Sequence, residues 1–418
     1  MTAERRPKYP GHRRFASLGL AAALAATAAL VATAAGGTAE GGSPPFEPLG
    51  AGSSPVNTTA LQVAAIGAPQ RIHGTDRREH IDYDLVITDS FTADATLTSL
   101  VVRGGGQRLL KLQGDALAHY TRQVAGAGDP TRTTPASSAV TTYVDVVLPR
   151  SAGRTVPKRL HNRIKYTLPS GAPAEAIIGS KTVRAPDLRV DRRAPIEIEP
   201  PLRGTGWFSA NACCDPDFNH RSTVLSANGT YVAPEVFAVD YIRVVDGRIF
   251  TGDGSENADW FAEGAPIRAA TGGKVVSVID DRPEVPPGES VQGNPTVTKP
   301  RDFGGNSVAV KVEPGVFAYY AHMQPGSVRV DVGERVRTGQ KIGLLGNSGN
   351  TSGPHLHFGI NDRRNPLTAN SLPFEIDHFR FEGTAGPGPT QGEVTVTGKP
   401  HRARAEHPLL NSVSDYPG

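Results

Sequence analysis

Residues 351–360 read TSGPHLHFGI, with His355 and His357 separated only by the apolar Leu356. In a β-strand, side chains alternate faces with period two. The two imidazoles therefore share one face, while Leu356 and Phe358 share the other. Neighbouring imidazoles resist being protonated together. They suit a shared metal ion, or a division in which one holds a metal and the other handles protons on its water. A histidine pair on a solvated strand face has the same short pattern, so the surrounding sequence decides.

Upstream of this stretch, strand-like runs alternate with glycine turns: APIRAATGGKVVSVID (265–280), NSVAVKV (306–312), VFAYYAHM (316–323) and KIGLLGNSG (341–349). This pattern predicts a β-rich domain over 201–383. Residues 61–200 hold another set of short β patterns, among them IDYDLVITDSF, TLTSLVVRG, AVTTYVDVVL and NRIKYTL. Val, Thr, Ile and Tyr dominate there, Gly and Asp punctuate, and helical periodicity is poor. We expect an all-β protein: an N-terminal β-sandwich of immunoglobulin-like architecture, then a second β-rich domain. His73, His80, His119 and His161 show no metal-ligand spacing and read as surface or core histidines.

At 418 residues the chain is long enough for two cores. Its 47 glycines and 35 prolines fit many turns and some linker. Residues 40–60 read as linker and 384–418 as a Gly/Pro-rich tail, although EHPLLNSV has the composition of a docking segment. The net charge of +3 belongs to the N-terminus: outside residues 1–39, 39 bases face 40 acids. A near-neutral chain offers no basic stripe for nucleic acid.

Residues 1–39 have the form of an export signal. A basic segment, MTAERRPKYPGHRRF, precedes an uncharged, Ala-rich run, and Ala32-Thr33-Ala34 and Gly37-Thr38-Ala39 both fit cleavage. Secretion to the wall or medium is expected, with no stable membrane span after signal removal. The competing reading is an uncleaved anchor, disfavoured because the run is mostly alanine. The adjacent Cys213 and Cys214 suit a vicinal disulfide or a bond to another chain.

A hydrolytic zinc site wants three ligands from His, Asp or Glu, a base for the attacking water and a donor for the oxyanion. The second half holds such parts: His220 in DFNHRSTV, Asp240 in VFAVDYI, His322 in YYAHM, and His355 and His357 in PHLHF. Asp240 lies in an apolar run, an expensive place for a carboxylate without a cationic partner.

Three stretches carry a resemblance: GAPIRAATGGKVVSV, the run from Tyr319 to Phe358 ending GNSGNTSGPHLHF, and the Asp of FAVDY. Over about residues 218–375 the chain resembles the lysostaphin-type zinc metallopeptidases, which cut peptide cross-links of peptidoglycan. The resemblance implies a metallopeptidase domain of antiparallel β-sheet around a groove, with one zinc per chain at its floor. It implies His220, Asp240 and His357 as ligands. It also implies His355 and His322 as the unligated histidines, with His355 read as general base and His322 as oxyanion stabiliser. Asn347, Ser348, Asn350 and Thr351 are read as shaping the turn, and His378 as packing.

This chain departs from the family pattern where His220 and Asp240 stand twenty residues apart; in the best-known members the interval is four. We read 221–236 as an insertion between ligands, with Asp215 and Asp217 as competitors for the place of His220. The expected function is a secreted zinc endopeptidase acting on peptidoglycan or another extracellular peptide. The alternative is a catalytically inactive binding or regulatory module of the same fold. The N-terminal β-region carries no chemical motif. Orienting the peptidase, holding it to a wall polymer and covering the groove all remain open for it.

Overall fold

The computed structural model describes residues 57–124, 129–148, 156–217, 219–288, 297–386 and 393–418, which fall within one compact unit, Gly52–Gly418. The export signal and most of the linker lie outside the described residues. The described chain is nearly all β, with only two short α-helices, Gly114–His119 and Asn219–Ser222. None of its helices is long and apolar enough to cross a membrane.

The N-terminal region contains two sheets. One orders Leu61–His73, Glu79–Asp89, Ala139–Leu148 and Thr121–Gln123; the main path of the other is Leu188–Arg189, Arg159–Thr167, Ala95–Gly104 and Gln107–Gln113. Arg159–Thr167 shows the period of a half-buried strand, with Leu160, Asn162, Ile164 and Tyr166 inward. These side chains share a core with Ile81, Leu85 and Ile87 of the facing sheet. Burying each such Ile or Leu contributes roughly 1.5–3 kcal/mol. Across the core the Tyr83 hydroxyl donates to Asn162 Oδ1 at 2.6 Å.

Glu79–Asp89 departs from simple alternation, because both its faces are buried. Ile81, Tyr83, Leu85 and Ile87 fill the sandwich. Val86, on the opposite face, packs in a second cluster with Tyr143, Cys213, Cys214, Val236 and Phe237. The outer face of the sandwich is thus covered by the second half of the chain. Cys213 and Cys214 form a disulfide in this seam.

The second half is organised by a large antiparallel sheet. Its central run orders Gly273–Ile279, Asn306–Glu313, Val316–Met323, Leu356–Asn361, Val239–Arg243 and Gly204–Ala210. Tyr241, Val308, Tyr320, Leu356 and Phe358 bury one face. Residues 384–418, read from composition as a tail, also contribute to the sheet. Ser412–Tyr416 pairs with both Gly204–Ala210 and Phe379–Ala385, and Val413 and Tyr416 are buried.

Candidate active site

Sheet pairing brings two of the singled-out residues together. Asp240 is the register partner of His357, and His357 is also opposite Ala321. Tyr241 and Val239 point into the core, so alternation sends Asp240 to the other face. The same rule sends Leu356 and Phe358 inward and His357 outward, as the HLH pattern predicts.

Three histidines converge on the Asp240 carboxylate. His220 Nε2 lies 3.3 Å from Oδ2, His357 Nδ1 lies 3.0 Å from Oδ1, and His355 Nε2 lies 3.4 Å from Oδ1. Asn211 donates from its side-chain nitrogen to Oδ2 at 2.8 Å. Burial opposes ionisation of Asp240, but His220 and His355 outweigh it and hold the carboxyl well below its usual range. The expense of a buried acid is met by cationic or hydrogen-bonding partners on every side.

The fourth histidine reaches the site by a different route. Ala318 and Tyr320 face the core. Strict alternation would send His322 there too. His322 instead adopts a left-handed φ of +64°, which breaks the alternation and returns Met323 to the core. Its ring lies 4.7 Å from that of His355 and 5.9 Å from that of His357, between centroids. A left-handed β-carbon residue is a local cost of order 1–3 kcal/mol, of the kind that collects at functional sites.

The turn before the HLH strand sets the proton positions of His355 and His322. His355 Nδ1 donates to the Gly353 carbonyl at 2.8 Å, and His322 Nδ1 donates to the Ser348 carbonyl at 2.8 Å. In each neutral ring this leaves the lone pair on Nε2. Burial, with His355 and His357 alongside, holds His322 well below its ordinary pKa, so that ring rests neutral.

The turn itself is held from below. Asn347 donates to the Val285 carbonyl at 2.8 Å and accepts from Thr351 at 2.7 Å, while the Ser348 hydroxyl donates to the Met323 carbonyl at 2.7 Å. Gly349, at φ +82°, lies so close to the Gly305 backbone that a side chain would collide with it.

His220 belongs to the four-residue helix Asn219–Ser222, and its Nδ1 faces the Ala238 carbonyl at 3.3 Å, which turns Nε2 toward Asp240. The competitors lie elsewhere: Asp215 pairs with His119 at 3.1 Å, and Asp217 pairs with Arg122. Two nearby residues escaped the sequence reading. Asn211 sits at the end of a strand without any motif. Glu235 closes the insertion, and its carboxylate lies with one nitrogen each of His220 and His357 inside a 4.8 Å cluster. The PEVFAVD context was its only signal. His378 is not packing: its ring is 59% exposed and pairs with Asp377 at 2.7 Å.

In chemical type, two imidazoles and a carboxylate suit a zinc ion. Nitrogen and carboxylate donors at about 2.0–2.1 Å around a tetrahedral centre lie roughly 3.3 Å from one another. The spacings of Asp240 from His220 and His357 are of that size.

A family model described as Peptidase family M23 matches residues 255–369. The chain carries an M23 peptidase domain. His322, His355 and His357 lie within the matched span, and His220 and Asp240 precede it. Among curated proteins, the chain is 34% identical to the peptidoglycan DD-endopeptidase ShyA of Vibrio cholerae over 80 residues, covering 19% of this chain and 18% of ShyA. It is 30% identical to lysostaphin of Staphylococcus simulans over 137 residues, covering 32% of this chain and 24% of lysostaphin. The matched segment thus spans about a quarter or less of these relatives. Among solved structures, the lysostaphin catalytic domain from S. simulans aligns at 20% identity and a TM-score of 0.22, over 40% of this chain and 88% of that one. The M23 metalloprotease pseudoalterin aligns at 18% identity and a TM-score of 0.26, over 52% and 99%.

Proposed function

We propose that this chain is an exported, zinc-dependent endopeptidase that hydrolyses peptide cross-links of peptidoglycan. The observation that carries the reading is the convergence of His220, His355 and His357 on one buried carboxylate, Asp240, within 3.4 Å. In this reading His220, Asp240 and His357 hold one zinc ion per chain. Bound zinc supplies a Lewis acid that polarises a carbonyl and lowers the pKa of water to about 7.

The chain's own residues do the rest. Asn211, donating to Asp240 Oδ2, keeps the carboxylate from rotating. His355 Nε2 carries the lone pair facing the cluster and takes the proton of the attacking water, as Gly353 holds the Nδ1 proton in place. His322 starts neutral with its Nε2 lone pair free of the Ser348 contact. It serves as the oxyanion donor in its protonated form, taking one proton from solvent as the oxyanion develops, while His355 passes the proton taken from water to the leaving amine. A small concavity lined by Pro234, Glu235, Phe303, Tyr319, His322 and His357 adjoins the cluster. The N-terminal signal accounts for delivery to the wall.

The test is metal content together with hydrolysis of purified peptidoglycan. We expect about one zinc per chain, lost in His220→Ala, Asp240→Ala and His357→Ala, and release of peptide fragments by the wild type alone. Zinc retained in His220→Ala would remove that ligand from the set. Bound zinc and peptidoglycan without hydrolysis would leave a binding module.

A further inference from the structure

Asp240 and His357 stand on strands paired to each other, so the sheet fixes their spacing. His220 has no such support. It sits on a four-residue helix outside the sheet, within a loop that starts at Asn211. The later part of that loop is bonded to the peptidase half at Ala233, Pro234 and Phe237, whereas the stretch around His220 is held by the N-terminal sandwich.

The next residue, Arg221, is fully buried, with its side chain at 0% exposure. It enters the outer face of the sandwich strand Glu79–Asp89. There its Nη2 lies 2.8 Å from Asp82 Oδ1, its Nε donates to Asp82 Oδ2 at 3.1 Å, and its Nη1 donates to Asp84 Oδ1 at 2.5 Å. Both carboxylates are themselves buried, at 0% and 2% side-chain exposure. The guanidinium stands 5.0 Å over the ring of Tyr143, whose hydroxyl donates to the Ser222 carbonyl at 3.0 Å. A fork of rigid donors between two carboxylates under an aromatic face fixes orientation as well as position.

Resting on the zinc reading above, we infer that the sandwich is part of the metal site: Asp82, Asp84 and Tyr143, through Arg221, are positioning residues for the ligand His220. The sandwich then has a role in catalysis without touching substrate. Its outer face reads Asp82, Asp84 and Val86 toward the peptidase half, and this face is what makes a ligand on a long insertion workable. Partners that orient a metal ligand change metal affinity by about 10–100-fold when removed.

The experiment measures zinc affinity of the whole chain by competition with a chromophoric chelator, using zinc alone as the probe. Variants are Asp84→Asn, Arg221→Lys and Arg221→Met, with near-UV circular dichroism and the urea midpoint recorded for each. Arg122→Gln, which breaks the Asp217 contact of the same loop, serves as the control for general loosening. We expect Arg221→Met to bind zinc about 10–100-fold more weakly, Arg221→Lys to recover part of the loss, and Arg122→Gln to stay within about twofold. If Arg221→Met does not fold, Asp84→Asn, which keeps shape and removes one charge, carries the test. A cobalt(II) spectrum that changes in the Arg221 variants as it does in His220→Ala supports the same conclusion. Wild-type zinc affinity in folded Arg221 and Asp84 variants overturns the clamp and leaves the zinc reading intact. A wild type that binds no zinc overturns both.

Discussion

The two sides of the site are built by different means. Asp240 and His357 are placed by backbone pairing within one sheet, where each side chain is aimed by period-two alternation. His220 is placed by a buried ion-pair cluster that joins regions far apart in sequence. Sheet register is cheap to encode locally, since a few alternating residues suffice. A long-range clamp needs residues some 140 positions apart to agree on charge and shape, as Arg221 and Asp82 do. On the proposed zinc reading, the comparison teaches that one ligand can be held in place by a region that supplies none of the ligands.

Breaking the sheet side should have the largest effect. Asp240→Ala removes the carboxylate on which three histidines converge, and we expect loss of stoichiometric zinc and of all hydrolysis, read by metal analysis and by fragment release. Next comes His355→Ala. It should retain zinc while turnover falls by about 10²–10⁴-fold, the usual range for a lost general base. Zinc lost from that variant would place His355 among the ligands. Asn211→Ala should keep zinc but weaken it by about tenfold, since it frees one oxygen of Asp240.

Two further changes on the sandwich side should have smaller effects, read as stability. Tyr143→Phe deletes one hydrogen bond to Ser222 and should cost about 1 kcal/mol in urea unfolding. His80, on the same outer face, titrates. Burial opposes its charge, but Asp145 and Asp76 outweigh burial and raise its pKa from 6.5 to about 10. A raised folded-state pKa means the stabilisation is complete below pH 6.5 and fades as pH rises through about 10. The urea midpoint should therefore fall between pH 6.5 and 10, and His80→Gln should flatten that slope. An unchanged midpoint across that range would show that His80 is not charged in the folded chain.

Much of the sheet side was legible in the sequence. HLH alternation gave the face of His357, and an acid inside FAVDY announced a buried site. The route of His322 was not legible, because YYAHM read as a regular strand sends that ring to the core. Only the left-handed turn at His322 itself reverses it. Asp82 and Asp84 were hidden for another reason. Alternating acids in IDYDL look like the wet face of a strand, and their partner lies in a different part of the chain. The closing strand Ser412–Tyr416 was hidden by the glycines and prolines that precede it.

That closing strand has a consequence in time. A chain is made and delivered from its N-terminus onward, yet Gly204–Ala210, the neighbour of the strand bearing Asp240, takes its other partner from Ser412–Tyr416. The sheet around the site therefore lacks a flank until a segment synthesised much later arrives. Pairings of such long sequence separation form slowly. That sheet is completed only after nearly all of the described chain has emerged.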